Sequence, residues 1–124
     1  MEGGKRILIA DDDPDICDLL ESYLRKAGYG VIITVNGKEA LQTAESEKFD
    51  LVLLDVMMPY LDGYRVAGGI VSRYGADSPR IVIMTSRDIT GEKVMIRQSG
   101  ACGALQKPFT LDELGVKVKA ALGG

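Results

Sequence analysis

The chain has 124 residues, 46% of them hydrophobic and 27% charged, which fits one ordinary globular domain and leaves no room for two. With 15 Lys+Arg against 18 Asp+Glu the net charge is −3, so the basic excess that direct nucleic-acid binding runs on is missing. There is no histidine, which excludes Ser-His-Asp or Cys-His catalysis, His-ligated zinc and a histidine phosphodonor within the chain.

The opening Met1-Glu2-Gly3-Gly4-Lys5-Arg6 leads into a short apolar run at 7–10, a strand candidate and too short for a signal peptide. Asp11-Asp12-Asp13 follows. Asp13 suits a helix N-cap, Pro14 the first helical position, and Ile16, Leu19, Leu20, Tyr23 and Leu24 recur at helical spacing up to Ala27, with Gly28 as the stop. A second strand is expected over 31–35. A second helix follows Asn36, with Glu39 three residues on and Ala40, Leu41 and Ala44 along one face. The third strand, 51–54, runs into Asp55. The third helix follows Asp62-Gly63 and reaches Tyr74, and its Gly68 and Gly69 each cost about 1 kcal/mol relative to Ala. The fourth strand, 81–84, precedes Thr85-Ser86, and a fourth helix is expected from Gly91 to Ser99, ending at Gly100. A weak fifth strand, 104–106, leads to Lys107-Pro108. The fifth helix opens on Thr110-Leu111-Asp112-Glu113, a capping-box pattern, and carries Leu114, Val118 and Leu122.

The middle strands are apolar throughout rather than alternating, which suits strands covered on both faces. Five strand-helix alternations predict a doubly wound α/β sandwich with a parallel sheet and right-handed crossovers. Known folds of this pattern favour the flavodoxin-like order 2-1-3-4-5. Cys17 and Cys102 form no CxxC pair and read as reduced thiols, hence a cytoplasmic protein. No apolar stretch approaches the roughly 20 residues of a membrane span.

In such sheets the ligand site lies outside the carboxyl ends of the strands, at the switch between the first and third. There the sequence places Asp11, Asp12 and Asp13, then Asp55, Thr85-Ser86 and Lys107. Clustered carboxylates repel and call for a cation. All-oxygen surroundings without imidazole or thiolate favour Mg²⁺, with Ca²⁺ or Mn²⁺ as substitutes. A carboxylate beside such an ion is a nucleophile toward phosphorus, and an ammonium and a hydroxyl can hold the transferring oxygens. Taken singly, each residue also has an ordinary reading: Asp13 as a helix cap, Asp55 as a turn, Thr85-Ser86 as a turn or cap, Lys107 as a solvated loop lysine. The functional reading rests on four elements ending this way at one edge.

The run Leu51-Val52-Leu53-Leu54-Asp55-Val56-Met57-Met58-Pro59-Tyr60-Leu61-Asp62-Gly63 resembles the receiver domain of two-component response regulators, of the single-domain chemotaxis type. Ile7-Leu8-Ile9-Ala10-Asp11-Asp12-Asp13, Met84-Thr85-Ser86, Gly100-Ala101 and Gln106-Lys107-Pro108-Phe109 match in the same order and at the same distances. The resemblance covers residues 5–122 and implies one receiver domain over 1–124. It implies that Asp55 is the phosphoacceptor, that Asp12 holds Mg²⁺ directly and Asp11 through water, and that the Met57 backbone carbonyl is a further ligand. It implies that the Thr85 hydroxyl moves toward the phosphoryl group, that Lys107 contacts the phosphate, and that the Lys107–Pro108 bond is cis. The donor would be a phosphohistidine on a partner histidine kinase or phosphotransfer protein, or a small acyl phosphate. The output would be a conformational switch read by a downstream partner. The domain would be no enzyme beyond its own phosphorylation and slow autodephosphorylation.

The chain departs from the family at Ala104, where many members carry the Tyr or Phe that reports phosphorylation. Tyr64 and Tyr74 are not at equivalent positions. Met57 and Arg87 stand where members tune phosphoryl lifetime. One rival is a phosphatase of the haloacid dehalogenase type, whose Asp-x-Asp spacing Asp11 and Asp13 fit. It leaves Asp55-Val56-Met57-Met58-Pro59 unexplained and lacks a cap insertion. A second rival is a binding module of this fold that is never phosphorylated. A flavodoxin-type flavin carrier fits poorly, because three carboxylates would repel its phosphate.

Overall fold

The computed structural model describes residues 4–123; Met1–Gly3 of the opening segment and the terminal Gly124 lie outside the described residues. Five strands form one parallel sheet: β1 (Arg6–Ala10), β2 (Gly30–Thr34), β3 (Leu51–Asp55), β4 (Arg80–Thr85) and β5 (Gly103–Gln106). Their order is β2-β1-β3-β4-β5, the order expected from the sequence pattern. The helices that follow them are α1 (Pro14–Lys26), α2 (Gly37–Ser46), α3 (Gly63–Tyr74), α4 (Ile89–Gln98) and α5 (Leu111–Ala121), with a 3-10 turn at Gly75–Asp77. No described helix is long and apolar enough to cross a membrane.

The uniformly apolar strands divide their side chains between two cores, because successive residues of a strand point to opposite faces. Ile7, Ile9, Leu51, Leu53, Val82 and Met84 pack with Leu20 and Leu24 of α1 and Leu114 and Val118 of α5. Leu8, Ala10, Val52, Leu54, Ile81 and Ile83 pack with Ala40 and Ala44 of α2 and Val66, Ala67 and Ile70 of α3. Each large aliphatic side chain so buried stabilises the fold by roughly 1.5–3 kcal/mol. That is why β1 and β3, flanked by strands and covered on both faces, are the rigid frame of the site.

The caps follow the side-chain chemistry. The Asp13 carboxylate accepts from the N–H groups of Asp15 and Ile16, with Pro14 opening α1. The capping box at Thr110 and Glu113 is formed in both directions. Several boundaries shift by a residue or two from expectation, and two of the shifts have a side-chain cause. β2 ends at Thr34 rather than Val35, because the Val35 N–H donates to Glu39 Oε1 at 3.0 Å and so serves the α2 N-terminus instead of the sheet. α4 begins at Ile89, not Gly91, because Asp88 caps it by accepting from the Thr90 N–H at 2.9 Å.

The two glycines inside α3 are not equivalent. A Cβ at Gly68 would meet nothing within 4 Å, whereas one at Gly69 would come within 3.0 Å of Leu41 Cδ1. Gly68→Ala is therefore expected to raise stability by about 1 kcal/mol through helix propensity alone, and Gly69→Ala to gain less. Urea denaturation of the two variants checks this; equal gains would mean that Leu41 yields freely.

Candidate functional site

Asp11 is the first residue past β1 and is 0% exposed. Its N–H donates to the Thr34 carbonyl at 3.2 Å, which continues the β1–β2 ladder by one residue. Both carboxylate oxygens are engaged: Oδ1 accepts from the Asp13 N–H at 2.9 Å and Oδ2 from Lys107 Nζ at 2.7 Å. Asp55 ends β3, opposite Met84 in register, and is 6% exposed. Lys107 Nζ lies 3.4 Å from Asp55 Oδ1, so one ammonium stands between two buried carboxylates. Asp12 adds a third carboxylate from the exposed side, and Asp11, Asp12 and Asp55 each bring an oxygen within 4.8 Å of the others. Asp13 is spent on the α1 cap, so the pair that faces the site is Asp11-Asp12 rather than Asp11-x-Asp13.

The electrostatics follow from this crowding. Burial, then the neighbouring Asp11 charge, pushes the Asp55 carboxyl up from 3.8 to about 6, with Lys107 opposing. Burial acts to lower the Lys107 ammonium, but its hydrogen bond to Asp11 and the charges of Asp11 and Asp55 outweigh it and leave it raised. Three carboxylates facing one ammonium are short of positive charge. An oxygen-rich, imidazole-free donor set with that deficit fits a hard divalent cation.

Backbone supports set the geometry. A Cβ at Gly63 would fall 2.4 Å from the Asp55 carbonyl oxygen, so only glycine lets the start of α3 approach the end of β3 this closely. The Gly63 N–H donates to the Val56 carbonyl at 3.0 Å and locks that approach. In the sequence Asp62-Gly63 reads as a helix start, and nothing local reveals this second role. Cys17, from the next turn of α1, donates its thiol to the Asp11 carbonyl at 3.2 Å. Burial, then the Asp11 charge, pushes that thiol up to about 11. It is a neutral packing and hydrogen-bonding group, which its place on the apolar face of α1 does not announce.

Of the remaining sequence-selected residues, Thr85, Met57 and Pro108 lie on the same edge and Ala104 lies inside β5. Thr85 ends β4 and is buried, with Oγ1 accepting from the Arg87 N–H at 3.0 Å. Met57 is on the loop leaving β3, its thioether sulfur in contact with Arg87 Nη2 at 3.3 Å. The Lys107–Pro108 bond is cis. Ala104 sits on β5 opposite Ile83 and borders an open cavity of about 490 Å³ toward α5, walled by Leu105, Phe109 and Val116.

The model of the response regulator receiver domain family matches residues 7–119. The alkaline phosphatase synthesis transcriptional regulatory protein PhoP of Bacillus subtilis is 41% identical over 118 residues, 95% of this chain and 48% of that protein. The response regulator MprA of Mycolicibacterium vanbaalenii is 42% identical over 117 residues, 94% of this chain and 50% of that protein. The chain thus spans about half the length of these curated relatives. Among solved structures, the receiver domain of the Pseudomonas aeruginosa sensor histidine kinase PA1611, with a magnesium ion in its active-site cleft, superposes with a TM-score of 0.88 at 30% identity, covering 98% of this chain and 100% of that one. The Thermotoga maritima response regulator TrrA, in complex with Mg²⁺ and BeF, superposes with a TM-score of 0.85 at 37% identity, covering 95% and 99%. With its sheet order, its acidic pocket and a family match over nearly its whole length, the chain belongs to the response regulator receiver domains of two-component systems.

Proposed function

We propose that this domain takes a phosphoryl group onto Asp55 from a phosphohistidine on a partner kinase or phosphotransfer protein, and that residues 1–124 act as one receiver unit. The observation that carries this reading is the Asp11–Asp12–Asp55 cluster, within 4.8 Å, against Lys107 Nζ at 2.7 Å from Asp11 and 3.4 Å from Asp55. An Asp55 carboxylate oxygen attacks phosphorus, the phosphorus–nitrogen bond of the donor breaks, and the imidazole leaves. Lys107 holds an oxygen of the transferring group, and the Thr85 hydroxyl turns to a second one. Mg²⁺ would be held by Asp12 and Asp55, by the Met57 backbone carbonyl, and by Asp11 through water because both of its oxygens are already engaged. Bound there, the ion supplies positive charge to the phosphoryl oxygens; Mn²⁺ or Ca²⁺ is expected to substitute.

The same groups, with water in place of the leaving imidazole, give a slow autodephosphorylation and no reaction on a separate substrate. The free thiols Cys17 and Cys102 support a reducing, cytoplasmic setting. The length of the relatives supports an output segment or downstream protein that reads the switch, with no nucleic-acid contact by this domain itself.

Intact-mass measurement tests the proposal. Incubation with Mg²⁺ and a small acyl phosphate should add the mass of one phosphoryl group, labile to hydroxylamine and mapping to Asp55. Modification at Asp11 instead, or no modification with any competent donor, would sink it. Asp12→Ala should weaken Mg²⁺ binding by about tenfold or more while leaving the thermal midpoint of the metal-free protein near or above wild type, since Asp12 is exposed and relieves repulsion when removed. Calorimetric titration with Mg²⁺ decides; an unchanged affinity counts against Asp12 as a ligand.

A further inference from the structure

Glu92 lies in the first turn of α4, yet its side chain is only 16% exposed. Its Oε1 accepts from the Tyr64 hydroxyl of α3 at 2.8 Å and lies 3.5 Å from Arg87 Nη1. Arg87 reaches on with Nη2 to the Met57 sulfur at 3.3 Å, and its N–H donates to Thr85 Oγ1 at 3.0 Å. Met57 and Arg87 each stand two residues beyond a pocket residue, Asp55 and Thr85 respectively. One carboxylate thus ties to α3 and to the loop after β4, and through Arg87 to the loop after β3.

Apart from the Ile89 N–H, which donates to Gln106 Oε1 of β5 at 3.3 Å, α4 has little else to hold it. Ile96 is its one buried residue, Val94 and Met95 are 62% and 48% exposed, and Gly91 weakens its first turn. A helix that buries so little apolar surface depends on its tertiary ties for its position. On the neighbouring strand, Ala104 offers no large side chain to carry a signal.

Resting on the reading of Asp55 as the phosphoacceptor, we propose that Glu92 is the latch that keeps α4 in its resting place, and that phosphorylation is reported by its release. When the Thr85 hydroxyl turns to a phosphoryl oxygen, the Arg87 N–H loses its acceptor and the loop 86–88 shifts. The Arg87 guanidinium, already beside the mouth of the pocket, then has the phosphoryl oxygens as a competing partner. Glu92 is left with Tyr64 alone, and α4 is freed to expose its apolar face. Reciprocity follows: whatever loosens the latch must tighten the binding of a phosphoryl mimic.

Hydrogen exchange over residues 89–98 and calorimetric titration with beryllofluoride in Mg²⁺ test this in the full chain. Glu92→Gln and Tyr64→Phe keep shape and remove one tie each. Both should speed unliganded α4 exchange and tighten beryllofluoride binding by about five- to tenfold, the range of an ordinary coupling between sites, with exchange in β1 and β3 unchanged. Arg87→Lys, which keeps the charge, should fall nearer to wild type than Arg87→Ala. Unchanged α4 exchange in Glu92→Gln overturns the latch. Faster exchange with unchanged beryllofluoride affinity also overturns it, because Glu92 would then be a structural tie without a part in switching. If wild-type protein fails to take beryllofluoride at all, the phosphoacceptor reading falls and the signalling half of this proposal with it, even where α4 exchange shows that the tie exists.

Discussion

Asp55→Asn is expected to abolish phosphoryl uptake and, at the same time, to make the metal-free protein more stable. Asp55 is a carboxylate that burial and the Asp11 charge have pushed up from 3.8 to about 6. Its folded-state value is raised, so the native state binds the proton more tightly than the unfolded chain does. The contribution of this group to stability is therefore greatest in acid and is lost as pH rises through the window from 3.8 to about 6. At neutral pH the cost of holding it ionised is about 3 kcal/mol. The amide of Asn removes the charge but keeps the volume, and a net gain of about 1–3 kcal/mol is expected, with several degrees in the thermal midpoint. The sign can be checked at two pH values in chelator. The gain of Asp55→Asn over wild type should be large at pH 7.5 and should shrink at pH 5, where wild-type Asp55 is itself mostly protonated. Added Mg²⁺ should stabilise wild type and reverse the order. A gain that does not vary with pH would show that repulsion at Asp55 is not its source.

Lys107→Ala should act in the opposite sense on stability and in the same sense on phosphoryl uptake. The lysine is the single ammonium among three carboxylates, and its Nζ contacts fully buried Asp11 at 2.7 Å. Removing one partner of a buried pair leaves the other charge unmet, which costs about 3 kcal/mol or more. The loss also withdraws the group that opposes the rise of Asp55, so Asp55 should titrate above about 6 in this variant. Mg²⁺ should restore part of the stability, because a dication meets the same charge deficit. Phosphorylation by a small acyl phosphate should slow by about 10²–10³-fold, the usual loss when one preorganised electrostatic donor is removed. Urea denaturation with and without Mg²⁺ and the rate of phosphoryl uptake are the measurements. A variant as stable as wild type in chelator would mean that Asp11 finds another partner, and an undiminished rate would remove Lys107 from the chemistry.

These two variants also separate what the residue pattern states from what packing adds. Asp11, Asp12, Asp55, Thr85 and Lys107 stand out in the sequence because each follows an apolar strand, and strands of a parallel sheet deliver their carboxyl ends to one edge. The site was legible for that reason. The short range of helix-capping chemistry made Asp13, Asn36, Asp62 and Thr110 readable as well. The α4 start is of the same kind: Asp88 is an ordinary cap, masked in the sequence by Gly91, which reads as a boundary. The Val35 N–H has two possible acceptors, a strand carbonyl or the Glu39 carboxylate, and only the packed α2 decides between them.

Other features have no local signature. Gly63 must be glycine because the Asp55 carbonyl passes 2.4 Å from where its Cβ would sit, a contact set by how the start of α3 packs on the end of β3. Tyr64, Arg87 and Glu92 are ordinary polar residues in sequence and become one cluster when α3, the loop after β4 and α4 are packed side by side.

By itself, then, the sequence determined the alternation of strands and helices, the edge at which the charges gather and the absence of a histidine phosphodonor within these 124 residues. Periodicity, capping and residue chemistry act over a few positions and survive in a one-dimensional string. Only the tertiary structure decided that Lys107 bridges Asp11 and Asp55, that Asp55 is raised toward neutrality, and that Glu92 joins the pocket to α4. Each of those depends on distances and burial between residues far apart in the chain, and electrostatic energies are set by those distances and that burial rather than by order in sequence.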